Sequence, residues 1–169
     1  EIEAGQTCDD IITNVDFAPT LLELTGTKIP DEFQGRSFRP LLHGETPEDW
    51  QEGMYYRYWM NRSHHNVAAH YGIRTKRYKL IYYYADGLGT PNSEAGLCAG
   101  DAGGDDELEY LTPEWELFDL EKDPREMQNV YGDPAYAQVV RELTDELHRL
   151  QREVGDEPYT EDKAATELD

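Results

Sequence analysis

Between residues 70 and 84 the chain reads HYGIRTKRYKLIYYY, and few folds can hold such a stretch. Two runs rich in aromatic and branched residues are separated by very little, with Lys76 near the break, which is the signature of a β-hairpin. Side chains alternate across a strand, so Tyr78, Leu80, Tyr82 and Tyr84 share one face while Lys79, Ile81 and Tyr83 share the other. The sequence also supplies a cover for one face. Tyr136, Val139, Val140, Leu143, Leu147, Leu150 and Val154 recur every three or four positions, which predicts one buried helical stripe. Asp133 and Pro134 open that helix and Gly155 closes it. GMYYRYWM, starting at Gly53, and WELFDL, starting at Trp115, read as further strands. The expected fold class is therefore α/β (an α+β subdomain): a small antiparallel sheet of about four strands packed by a long C-terminal helix.

Ahead of this lies TNVDFAPTLLELTG, residues 13–26. Thr13 and Asp16 have capping-box spacing, and Gly26 stands where a helix ends in a left-handed residue. Pro19 falls early, where its missing N–H costs little. Val15, Leu21, Leu22 and Leu24 form the expected apolar stripe. Residues 28–50 are rich in Pro and Gly and read as a connection anchored by Leu41 and Leu42. Residues 85–113 read as a long Gly- and Asp-rich loop, a length that usually marks a functional lid or an insertion. DPREMQNV has Asp123 at the cap, Pro124 at the first helical position and Glu126 three residues after the cap, which predicts a short helix. The acidic stretch 156–169 has little to bury and is expected to be disordered.

Charge narrows the functional classes. With 36 acids against 15 bases the net charge is −21, a field that repels nucleic acid and anionic lipid and suits a high-salt environment. No run of 18 apolar residues is present, and no secretion signal opens the chain, which begins at Glu1. Cys8 and Cys98 can be free thiols or one bridge. No pair of residues has metal-ligand spacing, so no metal site is expected. Against this background residues 55–84 hold six Arg or Lys, three of the five His, eight of the twelve Tyr, and no acid. At the average of 36 acids in 169 residues, thirty would carry about six. Clustered bases without acids would hold a local positive potential suited to an anion, and Arg matches sulfate, phosphate or carboxylate oxygens with its planar fork.

Four motifs, in order, carry a family resemblance. Asp16, Pro19, Thr20 and Leu22 match D-x-x-P-T-x-L; Gln34, Gly35, Ser37, Pro40, Leu41 and Leu42 match Q-G-x-S-x-x-P-L-L. Arg74, Thr75, Tyr78, Lys79, Leu80 and Ile81 match R-T-x-x-Y-K-L-I. Trp115, Glu116, Leu117, Asp119, Leu120, Asp123, Pro124, Glu126 and Asn129 match a W-E-L-Y-D-L-x-x-D-P-x-E-x-x-N signature. Over roughly residues 10–155 the chain resembles the C-terminal part of type I sulfatases, the formylglycine-dependent, alkaline-phosphatase-like family that includes N-sulfoglucosamine sulfohydrolase. The resemblance implies hydrolysis of sulfate esters or sulfamates, with a sulfated carbohydrate as substrate. It implies calcium and formylglycine as cofactors, both located outside this chain, and a missing N-terminal catalytic domain as partner. Neither Cys8 nor Cys98 fits the C/S-x-P/A-x-R nucleophile motif, so no catalytic residue is expected here and the chain alone is expected to be inactive. Residues 1–50 then correspond to the end of the catalytic domain, its helix included, residues 51–155 to the C-terminal subdomain, and 156–169 to the tail. No nucleic-acid or membrane partner is expected, and a periplasmic or extracellular location is what the family favours. His65 and His70, with Arg62 beside them, are the candidate substrate-binding residues, because loops held by a rigid sheet are where binding residues sit. The alternative is a stand-alone, non-catalytic carbohydrate- or anion-binding module.

Overall fold

The computed structural model describes residues 2–59, 67–84 and 113–156. They fall into two compact units, Glu1–Met54 and Tyr55–Asp169.

In the first unit a 3-10 turn over Asn14–Asp16 runs into helix α1, Phe17–Leu24. The expected capping box forms: Asp16 Oδ2 accepts from the backbone N–H of Thr13 at 2.7 Å and from its hydroxyl at 2.9 Å. Asp16 is buried, and the same carboxylate accepts from the Arg36 backbone N–H at 3.0 Å and from Gln51 Nε2 at 3.1 Å. Four donors satisfy it, as a carboxylate removed from water requires. Thr20 repeats the arrangement. Its hydroxyl donates to Asp16 O at 2.7 Å and accepts from Phe38 N–H at 2.9 Å. Gly35 is forced by contact, since a Cβ there would lie 2.1 Å from Val15 O. Asp16, Thr20 and Gly35 of the sequence motifs thus form one buried polar joint between α1 and the loop that follows. Phe38, Leu41 and Trp50, with Leu42 packed on them, form the small core of this unit. Of the expected apolar stripe, Val15, Leu21 and Leu24 are exposed and Leu22 is half-buried, while Phe17, also exposed, meets the Phe38 ring edge-on at 5.2 Å.

The second unit holds most of a four-stranded sheet: β1 (Gly53–Tyr58), β2 (His70–Thr75), β3 (Tyr78–Tyr83) and β4 (Glu114–Asp119), in the order β1-β2-β3-β4. β2 and β3 are the expected antiparallel hairpin, with Arg74 opposite Lys79 and His70 opposite Tyr83. Thr75 closes its turn, accepting from Tyr78 N–H at 2.9 Å through its side chain. β4 pairs antiparallel with β3. Helix α2, Ala137–Glu153, follows a 3-10 turn over Pro134–Tyr136 in which Asp133 accepts from Ala135 N–H at 2.9 Å. Leu143 and Leu147 of α2 pack into a core with Ala69, Tyr71, Ile73, Leu80, Tyr84 and Leu117.

Residues 123–130 do not form the expected helix. The Asp123 carboxylate accepts from Met127 N–H at 2.7 Å and Gln128 N–H at 2.8 Å but caps no helix. Glu126 takes a left-handed conformation with φ +56°, and a helix cannot pass through it. The competing interactions are with β4. Asn129 Oδ1 accepts from Leu117 N–H at 3.0 Å, its Nδ2 donates to Trp115 O at 3.1 Å, and Val130 N–H donates to Leu117 O at 2.9 Å. The segment thereby occupies backbone groups that an edge strand would otherwise leave open.

Candidate functional site

Alternation along the strands divides the sheet into two faces. Tyr71 and Ile73 of β2, Leu80 of β3 and Leu117 of β4 join the core with α2. His70, Gly72 and Arg74 of β2, Lys79, Ile81 and Tyr83 of β3, and Glu116 of β4 lie on the other side by register.

His70 is the one sequence-predicted site residue among those described. It is half-buried at the start of β2, where an aromatic group surrounds it: ring centroids lie 5.8 Å from Tyr56, 5.5 Å from Tyr58 and 5.1 Å from Tyr83. Its Nδ1 is 2.8 Å from Ala68 O. A carbonyl only accepts, so Nδ1 carries a proton and Nε2 is the acceptor nitrogen of the neutral ring. His65 and Arg62 lie outside the described residues, as do residues 85–112 and 157–169, on which the loop and tail expectations fall.

Sequence reasoning missed Tyr83, a neighbour of His70, and Glu116, which in turn meets Tyr83. Tyr83 stands opposite His70, and burial, then the charge of Glu116, pushes the Tyr83 hydroxyl up to about 12. Glu116, on the adjacent strand, has its own carboxyl raised, first by burial and then, against the hydrogen bond from Tyr83, by Glu114. Periodicity could have placed both on this face, but no spacing along the chain marks them as neighbours.

The acid-free stretch is not acid-free in space. Arg57 pairs with Asp156 at 2.7 Å, Arg77 with Asp119 at 3.0 Å and Glu121 at 3.2 Å, and Lys79 with Glu126 at 2.6 Å, with Arg74 3.9 Å from the same carboxylate. The free positive cluster expected from composition is therefore corrected for these bases, because acids from residues 119–156 fold back onto them. Arg74 opposite Lys79 would be an unfavourable cross-strand pair without Glu126 between them.

No three His, Cys, Asp or Glu converge as a metal site requires among the described residues, so these residues do not fit calcium. Cys8 is exposed, with its thiol donating to Asp10.

Among the described residues, a four-stranded sheet whose β2–β3 and β3–β4 pairs are antiparallel, backed by one helix, defines a small α+β subdomain. Residues 1–89 and 108–153 match the family described as N-sulphoglucosamine sulphohydrolase, C-terminal. The chain belongs to that family and is a sulfatase C-terminal domain. It is 38% identical over 92% of its length to an N-acetylglucosamine-6-O-sulfatase of Bacteroides thetaiotaomicron, covering 24% of that protein. It is 26% identical over 90% of its length to human N-sulphoglucosamine sulphohydrolase, covering 34% of it. A solved structure in complex with its substrate, D-glucosamine-2-N,6-O-disulfate, superposes with a TM-score of 0.73 at 37% identity, over 90% of this chain and 26% of the other. The chain thus spans a quarter to a third of these relatives.

Proposed function

We propose that this chain is the C-terminal part of a sulfatase hydrolysing sulfate esters or sulfamates of a sulfated amino sugar, and that the sheet end bearing His70 contacts the sugar. The observation that carries the reading is the 38% identity with an N-acetylglucosamine-6-O-sulfatase across 92% of the chain. The structural neighbour bound to a disulfated glucosamine supports the same substrate class.

Sulfate-ester hydrolysis needs a nucleophile at sulfur and charge stabilisation for the departing oxygen. The formylglycine and calcium that the family implies would supply these in a catalytic domain outside this chain. The exposed Val15 of the 3-10 turn and Phe17, Leu21 and Leu24 of α1 are a surface for that domain to cover. The role left to this chain is binding and orientation. With Nδ1–H donated to Ala68 O, Nε2 is the His70 ring nitrogen left to meet a sugar hydroxyl, and Tyr58 and Tyr83 lend apolar ring faces beside it. His65 and Arg62 precede His70 in the same β1–β2 connection, and Arg62 has the fork geometry for sulfate oxygens. A periplasmic or extracellular location fits the family. No helix among the described residues is long and apolar enough to cross a membrane.

Two measurements test this. The purified chain, assayed against an aryl sulfate and N-acetylglucosamine-6-sulfate, turns over neither above a heat-killed control; turnover would place the chemistry in this chain. In the complete enzyme, His70→Ala lowers kcat/KM on the natural sugar by about 1–3 kcal/mol of lost transition-state binding, and much less on a small aryl sulfate. Equal losses on both, accompanied by lower stability, would make His70 a structural residue.

A further inference from the structure

The other side of β1 carries a second polar cluster. Tyr55 and Arg57 alternate with Tyr56 and Tyr58 along the strand, and both meet Asp156. Arg57 Nη1 lies 2.7 Å from one carboxylate oxygen and 2.9 Å from the other, and the Tyr55 hydroxyl donates to the second. The side chains of Arg57 and Asp156 are only 10% and 19% exposed. The guanidinium lies 3.8 Å from the Trp59 ring centroid, with Trp59 itself 47% exposed, and 5.2 Å from that of Tyr84.

The cluster has more hydrogen-bonding capacity than Asp156 uses. Gln151 is 0% exposed and lies beside the Tyr55 hydroxyl, yet neither atom of its amide completes a hydrogen bond of normal geometry. Arg57 Nε is buried and likewise unpartnered. Buried unsatisfied groups are costly and rare, and three around one carboxylate call for an explanation. A brace evolved only to tie α2 to β1 has no need of them. The carboxylate of a sugar acid brings ring hydroxyls that both donate and accept, which is what the Gln151 amide lacks. The exposed Trp59 face gives the ring an apolar wall. Asp156 follows Gly155, at φ +75°, and its N–H donates to Gln151 O at 2.8 Å.

We propose that Tyr55, Arg57 and Gln151, beside Trp59, form a carboxylate-binding site that Asp156 fills from within the chain, and that the carboxylate of an acidic sugar takes its place. The site lies on the opposite side of β1 from His70 and does not depend on the sulfatase reading. A tethered carboxylate competes at millimolar effective concentration, so removing it exposes the site.

Isothermal titration of the purified chain with D-glucuronate at matched chloride tests this. Asp156→Asn binds at least ten-fold more tightly than the wild type, Arg57→Gln combined with Asp156→Asn loses the gain, and D-glucose binds none of the three. Equal affinity of the wild type and Asp156→Asn, or binding retained in the double variant, overturns the proposal. Acetate matching D-glucuronate overturns the sugar as ligand. Should Asp156→Asn fail to fold, the nitrogen-15 spectrum of the wild type decides. The Arg57 Nε–H signal moves saturably with D-glucuronate but not with chloride or D-glucose, and an unmoved signal overturns the site.

Discussion

Gly35 and Asp119 show how single positions set the tolerance of this chain. A Cβ at residue 35 meets backbone rather than a flexible side chain, 2.1 Å from Val15 O and 2.8 Å from Asp16 N. Neither can move without breaking the Asp16 joint. Gly35→Ala therefore costs ~3 kcal/mol or more in urea melts of the first unit; a cost below ~1 kcal/mol would mean the joint is looser than its geometry. Asp119 governs acid stability. The hydrogen bond from Arg77, with Tyr136 and Lys122 beside it, holds its carboxyl at about 2, below the ordinary value of 3.8. A folded-state value depressed in this way gives stability that is present above the unfolded value and lost as pH falls. The loss attributable to Asp119 spans about pH 4 down to pH 2. Comparing acid unfolding of the wild type and Asp119→Asn checks this, since the variant flattens the curve in that window. Identical slopes would remove Asp119 from the account.

Helices α1 and α2 differ in what they bury. Leu147 is 0% exposed at the centre of the α2 stripe, so Leu147→Ala costs ~2–5 kcal/mol in urea melts, as core truncations do. Leu21 on α1 is 61% exposed, and Leu21→Ser changes the stability of this chain by no more than ~0.5 kcal/mol. A large loss would show that the chain itself covers that face. The four strands and α2 were legible in the sequence because their periods of two and of three to four leave an alternating record in Tyr78–Tyr84 and Tyr136–Leu150. Residues 123–130 were not. Asp123, Pro124 and Glu126 carry a local helix signal, and what overrides it is a partner distant in the chain, the backbone of Leu117 and Trp115 bound by Asn129. The candidate site was legible only in part for the same reason. His70 was singled out because it adjoins the turn-like stretch 61–70 between two aromatic runs. Tyr83 becomes its neighbour only through the β2–β3 register, and the acids that neutralise Arg57, Arg77 and Lys79 lie 42 to 99 positions away.

A net charge of −21 acts on the whole molecule. Self-repulsion opposes compaction and is screened as the Debye length falls from about 10 Å at 0.1 M salt to about 3 Å at 1 M. Tm therefore rises with KCl across that range; a flat profile would mean that the ion pairs, weakened by the same salt, cancel the gain. The pairing of early bases with late acids has a temporal side. At about 5–20 residues per second, Asp119 is synthesised roughly 2–8 s after Arg77, and Asp156 roughly 5–20 s after Arg57, given separations of 42 and 99 residues. For those seconds the emerging stretch is cationic and unmatched beside ribosomal RNA. The sheet cannot complete its ion pairs until residue 156 has been made. Nascent chains stalled after residue 110 should thus cling to RNA until salt is added, while chains stalled far enough beyond residue 156 for it to emerge should not. Equal retention of both would show that the early bases find shelter without the late acids.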